Sequence, residues 1–161
     1  MGQAFTVHRI SKNDIPWVTE IFQTHWSGDF IVSRGKKYYP QDLDGFIACI
    51  DTQKVGLVTF REDGDAVELV SLVSLREHQG IGTALVDALI AYAKKQNKRR
   101  IWVITTNNNN HAMRFYEHRG LKKVCVYQNA IAQSRKIKPS IPLADECGIP
   151  IRDEIEYEYQ L

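Results

Sequence analysis

The chain reads as a single α/β domain, a mixed and mainly antiparallel sheet flanked by helices, in the order β-α-β-β-β-α-β-α-β-β. Two observations point there. Three strand-like runs follow one another between residues 46 and 75 with only short turns between them, which calls for antiparallel neighbours. Two helical patterns then alternate with strands over residues 81–127, so helices must cover the sheet. The strand feeding the main helix comes fourth, which argues against a doubly wound sheet.

The elements follow in chain order. "FTVHRI" (5–10) reads as a strand. "NDIPWVTEIFQTHW" (13–26) reads as a helix, with Asn13 as its cap, Pro16 in its first turn and Trp17, Ile21, Phe22 and His25 on one stripe. Residues 27–45 have turn formers at both ends and no period, and are expected to be a long loop with a short helix at most. "FIACIDT" and "VGLVTFRE" flank Gln53-Lys54 as a hairpin. After a turn at Asp63-Gly64-Asp65 comes the longer strand "AVELVSL", where simple alternation puts Glu68, Val70 and Leu72 on one face. "RIWVITT" is a strand rich in β-branched and aromatic residues. "NNHAMRFYEHRG" is a short helix with an asparagine start and a Gly120 stop. "LKKVCVY" and "EIEYEYQL" close the sheet, and between them residues 129–153 form an extended, proline-containing segment expected to hold one helical turn or more.

Global numbers narrow the function. At 161 residues, 43% hydrophobic and 25% charged, the chain is an ordinary globular domain able to bury its own core. A net charge of +2 gives no reason to expect nucleic acid as a partner. The basic run 94–100 lies where a helix ends, and there it complements the helix dipole. Three cysteines without paired spacing suit free thiols in a reducing cytoplasm. The five histidines show no metal-ligand spacing, so no metal is expected. The start carries no long apolar run, so neither a signal peptide nor a membrane span is expected. Gly2 invites a lipid-attachment reading, which is not adopted.

The junction Gln79-Gly80-Ile81-Gly82-Thr83-Ala84 carries the chemistry. A strand–Gly-x-Gly–helix turn leaves the first backbone donors of the helix open, with the positive end of its dipole behind them. Phosphate suits such a site. Close helix–strand packing explains two glycines equally well, and the turn alone leaves both readings open. The dinucleotide and P-loop patterns do not fit: G-x-G-x-x-G and Gly-Lys-Ser/Thr are both missing.

A second motif decides between them. "NNHAMRFYEHRGL" holds Asn109, Ala112, Phe115, Tyr116 and Gly120, with Leu121 where a phenylalanine is usual. With "GIGTAL" upstream, it resembles the two signature motifs of the GCN5-related N-acetyltransferases, the GNAT superfamily, over nearly the whole chain. "THWSGDFIVSRG" and "PLADECGIPIRDEIE" are similar to a bacterial branch whose substrates are undefined. One departure is plain: the usual Gln/Arg position of the first motif falls on Glu77.

The resemblance implies an N-acetyltransferase domain spanning 1–161. It would move an acetyl group from acetyl-CoA, as co-substrate, to a small-molecule or peptide amine by direct attack. The alternative is a catalytically silent acyl-CoA sensor. The resemblance implies that the amides of Gln79, Gly80, Ile81, Gly82, Thr83 and Ala84 hold the pyrophosphate. It implies that Leu72, Val73 and Ser74 run beside the pantetheine arm, one amide serving the thioester oxygen, and that Asn109 bonds the cofactor's amide chain. Tyr116 is the expected acid for the departing thiolate, its competing role being a half-buried core aromatic. Glu68 is the expected base through a water, its competing role being a strand-surface carboxylate. The acceptor would meet Trp26, Asp29, Val32 and Arg34, with Asp29 suited to an ammonium and Arg34 to a carboxylate. A homodimer is left open.

Overall fold

The computed structural model describes residues 4–161; Gly2 lies outside them. Strand β1 (Thr6–Arg9) leads through a 3₁₀ turn into helix α1 (Ile15–Trp26). A small hairpin, β2 (Ile31–Ser33) and β3 (Lys36–Tyr38), precedes β4 (Asp44–Ile50), β5 (Gln53–Asp63) and β6 (Ala66–Ser74). Helix α2 (Ile81–Lys95), β7 (Arg100–Thr106), α3 (Asn110–His118), β8 (Lys122–Tyr127), α4 (Ala130–Ile137) and β9 (Glu154–Gln160) complete the chain. The seven-stranded sheet runs β1-β4-β5-β6-β7-β9-β8. Every pairing in it is antiparallel except β6 with β7. Among the described residues no helix is long and apolar enough to cross a membrane.

Three local expectations are corrected. The loop expected over 27–45 contains the hairpin β2–β3, whose three-residue strands are too short to show a period. Turn and strand trade places in the β4–β5 hairpin: Gln53 and Lys54 lie inside β5, and the connection is Asp51-Thr52. Asp51 takes φ 53°, a left-handed conformation that aspartate tolerates. Asn13 does not cap α1. The 3₁₀ turn Lys12–Asp14 intervenes, and the Asp14 carboxylate accepts from the Ser11 amide at 2.9 Å and hydroxyl at 3.1 Å.

The sheet carries a core on each face. Helix α2 buries Ile81, Leu85, Leu89 and Ala93 at four-residue spacing against Val58, Phe60, Val67, Leu69, Val103 and Tyr157. On the other face Val18, Ile21 and Phe22 of α1 meet Ile31, Tyr38, Ile47, Leu57, Val70 and Val73. Close approach of α2 is licensed at Gly56, where a Cβ would sit 2.5 Å from Ile81 Cγ2 and 3.0 Å from Leu85 Cδ1. Gly56→Ala should therefore overpack this contact and cost about 1–3 kcal/mol. The thermal midpoint should fall by roughly 2–12 °C. An unchanged midpoint in a melting experiment would show that α2 can shift without penalty.

One irregularity positions the site. Across from the Thr59/Phe60 step the β5–β6 register shifts: Phe60 faces Leu69 and Thr59 faces Ser71, leaving Val70 as the extra residue. Glu68, Val70 and Leu72 therefore do not share one face, as simple alternation requires. Val70 packs with the α1 core, whereas Leu72 packs with the α2 core. Pairing of β6 with β7 covers only Ala66–Leu69 and Arg100–Val103. Beyond that point β6 continues on β5 alone and β7 on β9 alone, so the sheet opens between them.

Candidate active site

Two cavities meet at this opening. The first, about 490 Å³, is lined by Leu72, Val73 and Ser74 of β6, by Glu77–Thr83 of the turn, and by Phe115 and Tyr116 of α3. Gly80 caps α2 with φ 76°, a left-handed conformation that costs glycine nothing, and no side chain caps the first turn. The Ala84 amide bonds the Gly80 carbonyl at 3.0 Å, closing the helix behind the donors of its first turn. Gly82 faces Phe115, whose ring would lie 3.4 Å from a Cβ there. Gly80 thus bends the chain, whereas a Cβ at Gly82 would meet Phe115 at ordinary contact distance.

The second cavity, about 410 Å³, fills the opening between the strands. Val70, Ser71 and Leu72 form one wall and Val103–Thr106 the other; Trp26, Ile31 and Val32 approach from the α1–β2 side, and Ile131, Ile141, Pro142 and Ile151 from the 129–153 segment. His25, Leu72, Ala112 and Tyr116 line both cavities. Tyr116 is 6% exposed, and burial pushes its phenol above the ordinary tyrosine range. The phenol therefore keeps its proton through the neutral range and lies between the two cavities.

The expected site residues divide. Leu72, Val73, Ser74, Gln79, Gly80, Ile81, Gly82 and Thr83 line the first cavity; Ala84 follows as the first internally bonded amide. Asn109 lines the second cavity and caps α3, its side-chain oxygen accepting from the Ala112 amide at 3.1 Å. Trp26 and Val32 line the second cavity, while Asp29 and Arg34 line neither. Glu77 borders the first cavity but turns outward, its side chain 81% exposed with His78 at 3.8 Å. Arg76 does not pair with it; that guanidinium donates to the Gln53 side chain at 2.6 Å.

Glu68 is 1% exposed and lines neither cavity. Its carboxylate accepts from Ser33 Oγ at 2.7 Å, Tyr38 OH at 3.2 Å and Arg61 Nε at 2.8 Å. Burial pushes its carboxyl up, against the pull of the Ser33 hydroxyl and the Arg61 guanidinium. The arrangement ties the β2–β3 hairpin to the sheet. A second buried carboxylate, Glu154, accepts from the Arg34 amide at 3.1 Å and from Arg34 Nη1 at 2.9 Å. It lines the second cavity and is 2% exposed. Sequence reasoning missed Glu154 because strict alternation along β9 makes it look like a solvent-facing partner of Glu156 and Glu158. It missed His25 by placing it on the packed stripe of α1, where the buried residues are Val18, Ile21 and Phe22.

Comparison with known proteins agrees with this geometry. Residues 13–121 match the acetyltransferase (GNAT) family. The uncharacterized protein YxbD of Bacillus subtilis is 41% identical over 139 residues, covering 86% of this chain and 87% of that protein. The fold is similar to that of an IAA acetyltransferase from Bacillus cereus, with a TM-score of 0.78 and 19% identity over 98% of this chain and 100% of the other. It is also similar to a GNAT family acetyltransferase from Elizabethkingia anophelis with acetyl-CoA bound, with a TM-score of 0.70 and 16% identity over 98% of each chain. With an uncapped glycine turn opening α2, a split between β6 and β7 and a buried tyrosine joining two cavities, the chain belongs to the GNAT acetyltransferase family.

Proposed function

We propose that this protein transfers the acetyl group of acetyl-CoA to a primary amine. The observation that carries the reading is Tyr116, which lines both the cavity at the open-donor turn and the cavity between the split strands. In this reading the open amides of residues 79–83 hold the pyrophosphate, assisted by the dipole of α2, while the Ala84 amide is spent on the Gly80 carbonyl. The β6 segment Leu72–Ser74, unpaired on its β7 side, offers amide hydrogens to the pantetheine arm and the thioester oxygen. Asn109, on the rim of the second cavity with its side-chain oxygen spent on the Ala112 amide, would bond the same arm through its side-chain nitrogen.

The amine enters from the second cavity. Its nitrogen attacks the thioester carbon, forming the C–N bond, and the C–S bond breaks with its electron pair on sulfur. Tyr116 donates its proton to that sulfur. The nitrogen sheds one proton, which restores the phenol; His25, which lines both cavities, would relay it. No net proton is gained or lost when the neutral amine is the reactant.

Ligand class is tested by thermal shift. Acetyl-CoA at ~100 times its dissociation constant should add about 2.7 kcal/mol. For a chain of this size the melting midpoint should rise by roughly 5–10 °C. A shift with NAD or ATP but none with acetyl-CoA would sink the reading. Tight acetyl-CoA binding with no thiol released by any amine would instead mark a silent binder.

A further inference from the structure

Residues 129–153 are tied down at both ends of their path across the second cavity. At the base, the Asn129 amide donates to Asp153 Oδ1 at 2.9 Å, drawing the ends of the segment together. The asparagine run after β7 holds its return: Asn107 Oδ1 accepts from the Arg152 and Asp153 amides at 2.9 and 3.0 Å, and Asn107 Nδ2 donates to the Pro150 carbonyl at 2.9 Å. Asn108 donates to Asp145 at 3.2 Å. At the far side Lys138, 4% exposed, donates from Nζ to the carbonyls of Trp26 and Phe30, and Ser140 Oγ donates to the Ser27 carbonyl at 3.1 Å. The segment therefore bridges the α1–β2 loop to the β7–α3 turn.

We propose that this tethered strap turns the acceptor side of the site into a pocket for a small apolar primary amine, and that it excludes peptides and amino acids. The proposal rests on the acetyl-transfer reading above and specifies its acceptor. A peptide needs an open groove in which chain can continue past its reacting end. Here Ile131, Ser134, Ile141, Pro142 and Ile151 of the strap lie across the cavity from Val70, Leu72 and Val103. Half of the lining is apolar. Polar neighbours such as Ser71 and Thr106 are already bonded to Thr59 and Asn108. The two charged groups also have partners: Glu154 holds Arg34, and Lys138 holds two backbone carbonyls. Neither is left over for the carboxylate of an amino acid or for a second charge on the acceptor. A compact hydrocarbon body bearing one amine matches such walls, since its apolar area leaves water without stranding a polar group.

The experiment measures thiol release from acetyl-CoA by the full chain with three sets of acceptors, while thermal shift reports acetyl-CoA binding in parallel. The sets are apolar amines (2-phenylethylamine, benzylamine, isoamylamine), free amino acids, and hexapeptides with free N-termini or an internal lysine. The apolar amines should exceed the peptides and amino acids in kcat/KM by at least ~100-fold, a gap that burial of a few methylenes supplies. Lys138→Met, which keeps the aliphatic stem and removes the tether, should raise KM for 2-phenylethylamine while leaving the acetyl-CoA shift intact. Should that variant fail to fold, Ser140→Ala probes the same tether with a smaller rise. Peptides or amino acids turning over as well as the apolar amines, with the acetyl-CoA shift present, overturns the proposed acceptor and leaves acetyl transfer standing. Absence of the acetyl-CoA shift overturns both, as does silence of all three sets.

Discussion

Tyr116→Phe should lower kcat by about 10²–10⁴-fold, the usual contribution of a general acid, while acetyl-CoA affinity stays nearly constant. The phenol acts on sulfur only as the C–S bond breaks, so its loss falls on turnover and not on ground-state binding. Phenylalanine keeps the ring, and with it the edge contact to Phe115 at 5.7 Å and the packing against Tyr157 at 6.1 Å. The melting midpoint should therefore hardly move. The pH profile supplies a second check. Burial raises the Tyr116 pKa above its ordinary value of 10, so the acid form persists at every pH below that. Activity should rise as the acceptor amine loses its proton and should show no decline from tyrosine ionisation up to about pH 10. Near-normal turnover in the variant, measured as thiol release, would reduce Tyr116 to a core aromatic.

Glu68→Ala should act on stability first. Removing one partner of a buried ion pair costs about 3–5 kcal/mol, because the other charge is left uncompensated. Arg61 keeps 20% of its side chain in solvent and retains Asp63 at 3.6 Å, which places the expectation at the lower end of that range. The midpoint should fall by roughly 6–12 °C. Ser33 and Tyr38 lose their shared acceptor in the same stroke, so the β2–β3 hairpin should loosen and its amides should exchange faster with solvent. Well below the new midpoint, turnover should remain within a few fold of the parent, in keeping with general acid–base groups alone supplying larger factors. A fall of 100-fold or more in kcat for the isosteric Glu68→Gln, with the midpoint unchanged, would restore Glu68 as the base.

These expectations separate two kinds of information. Local signals were legible wherever one short stretch contained its own explanation. Helix α2 was readable because its apolar residues recur at four-residue intervals, and the uncapped turn before it because glycine alone suits φ 76° there. Asn109 was readable as a cap, since its partner is the amide three residues on. β7 showed itself by its β-branched and aromatic run, matching the strand Arg100–Thr106. The order of elements followed, and with it the family.

What the sequence could not hold was any property set by residues far apart in the chain. The register shift at Val70 depends on how β5 meets β6, and it moves Leu72 to the face opposite Glu68. Glu68 and Glu154 look alike as carboxylates in alternating strands. Only contacts with Ser33 and Tyr38, 35 and 30 residues away, and with Arg34, 120 residues away, make one a fastener of the hairpin and the other a partnered wall of the second cavity. Asn107 reads as a turn former and becomes an anchor because residues 150–153 return to it across more than forty positions of chain. By itself the sequence determined the seven strands of the main sheet, helices α1–α3, their order and the open-donor turn, though not the β2–β3 hairpin. Helix periodicity, capping and glycine geometry permit this because they are settled by neighbours along the chain. Only the tertiary structure decided which buried charges are already partnered and how the acceptor side is enclosed, because burial and charge compensation depend on what the rest of the chain brings into contact.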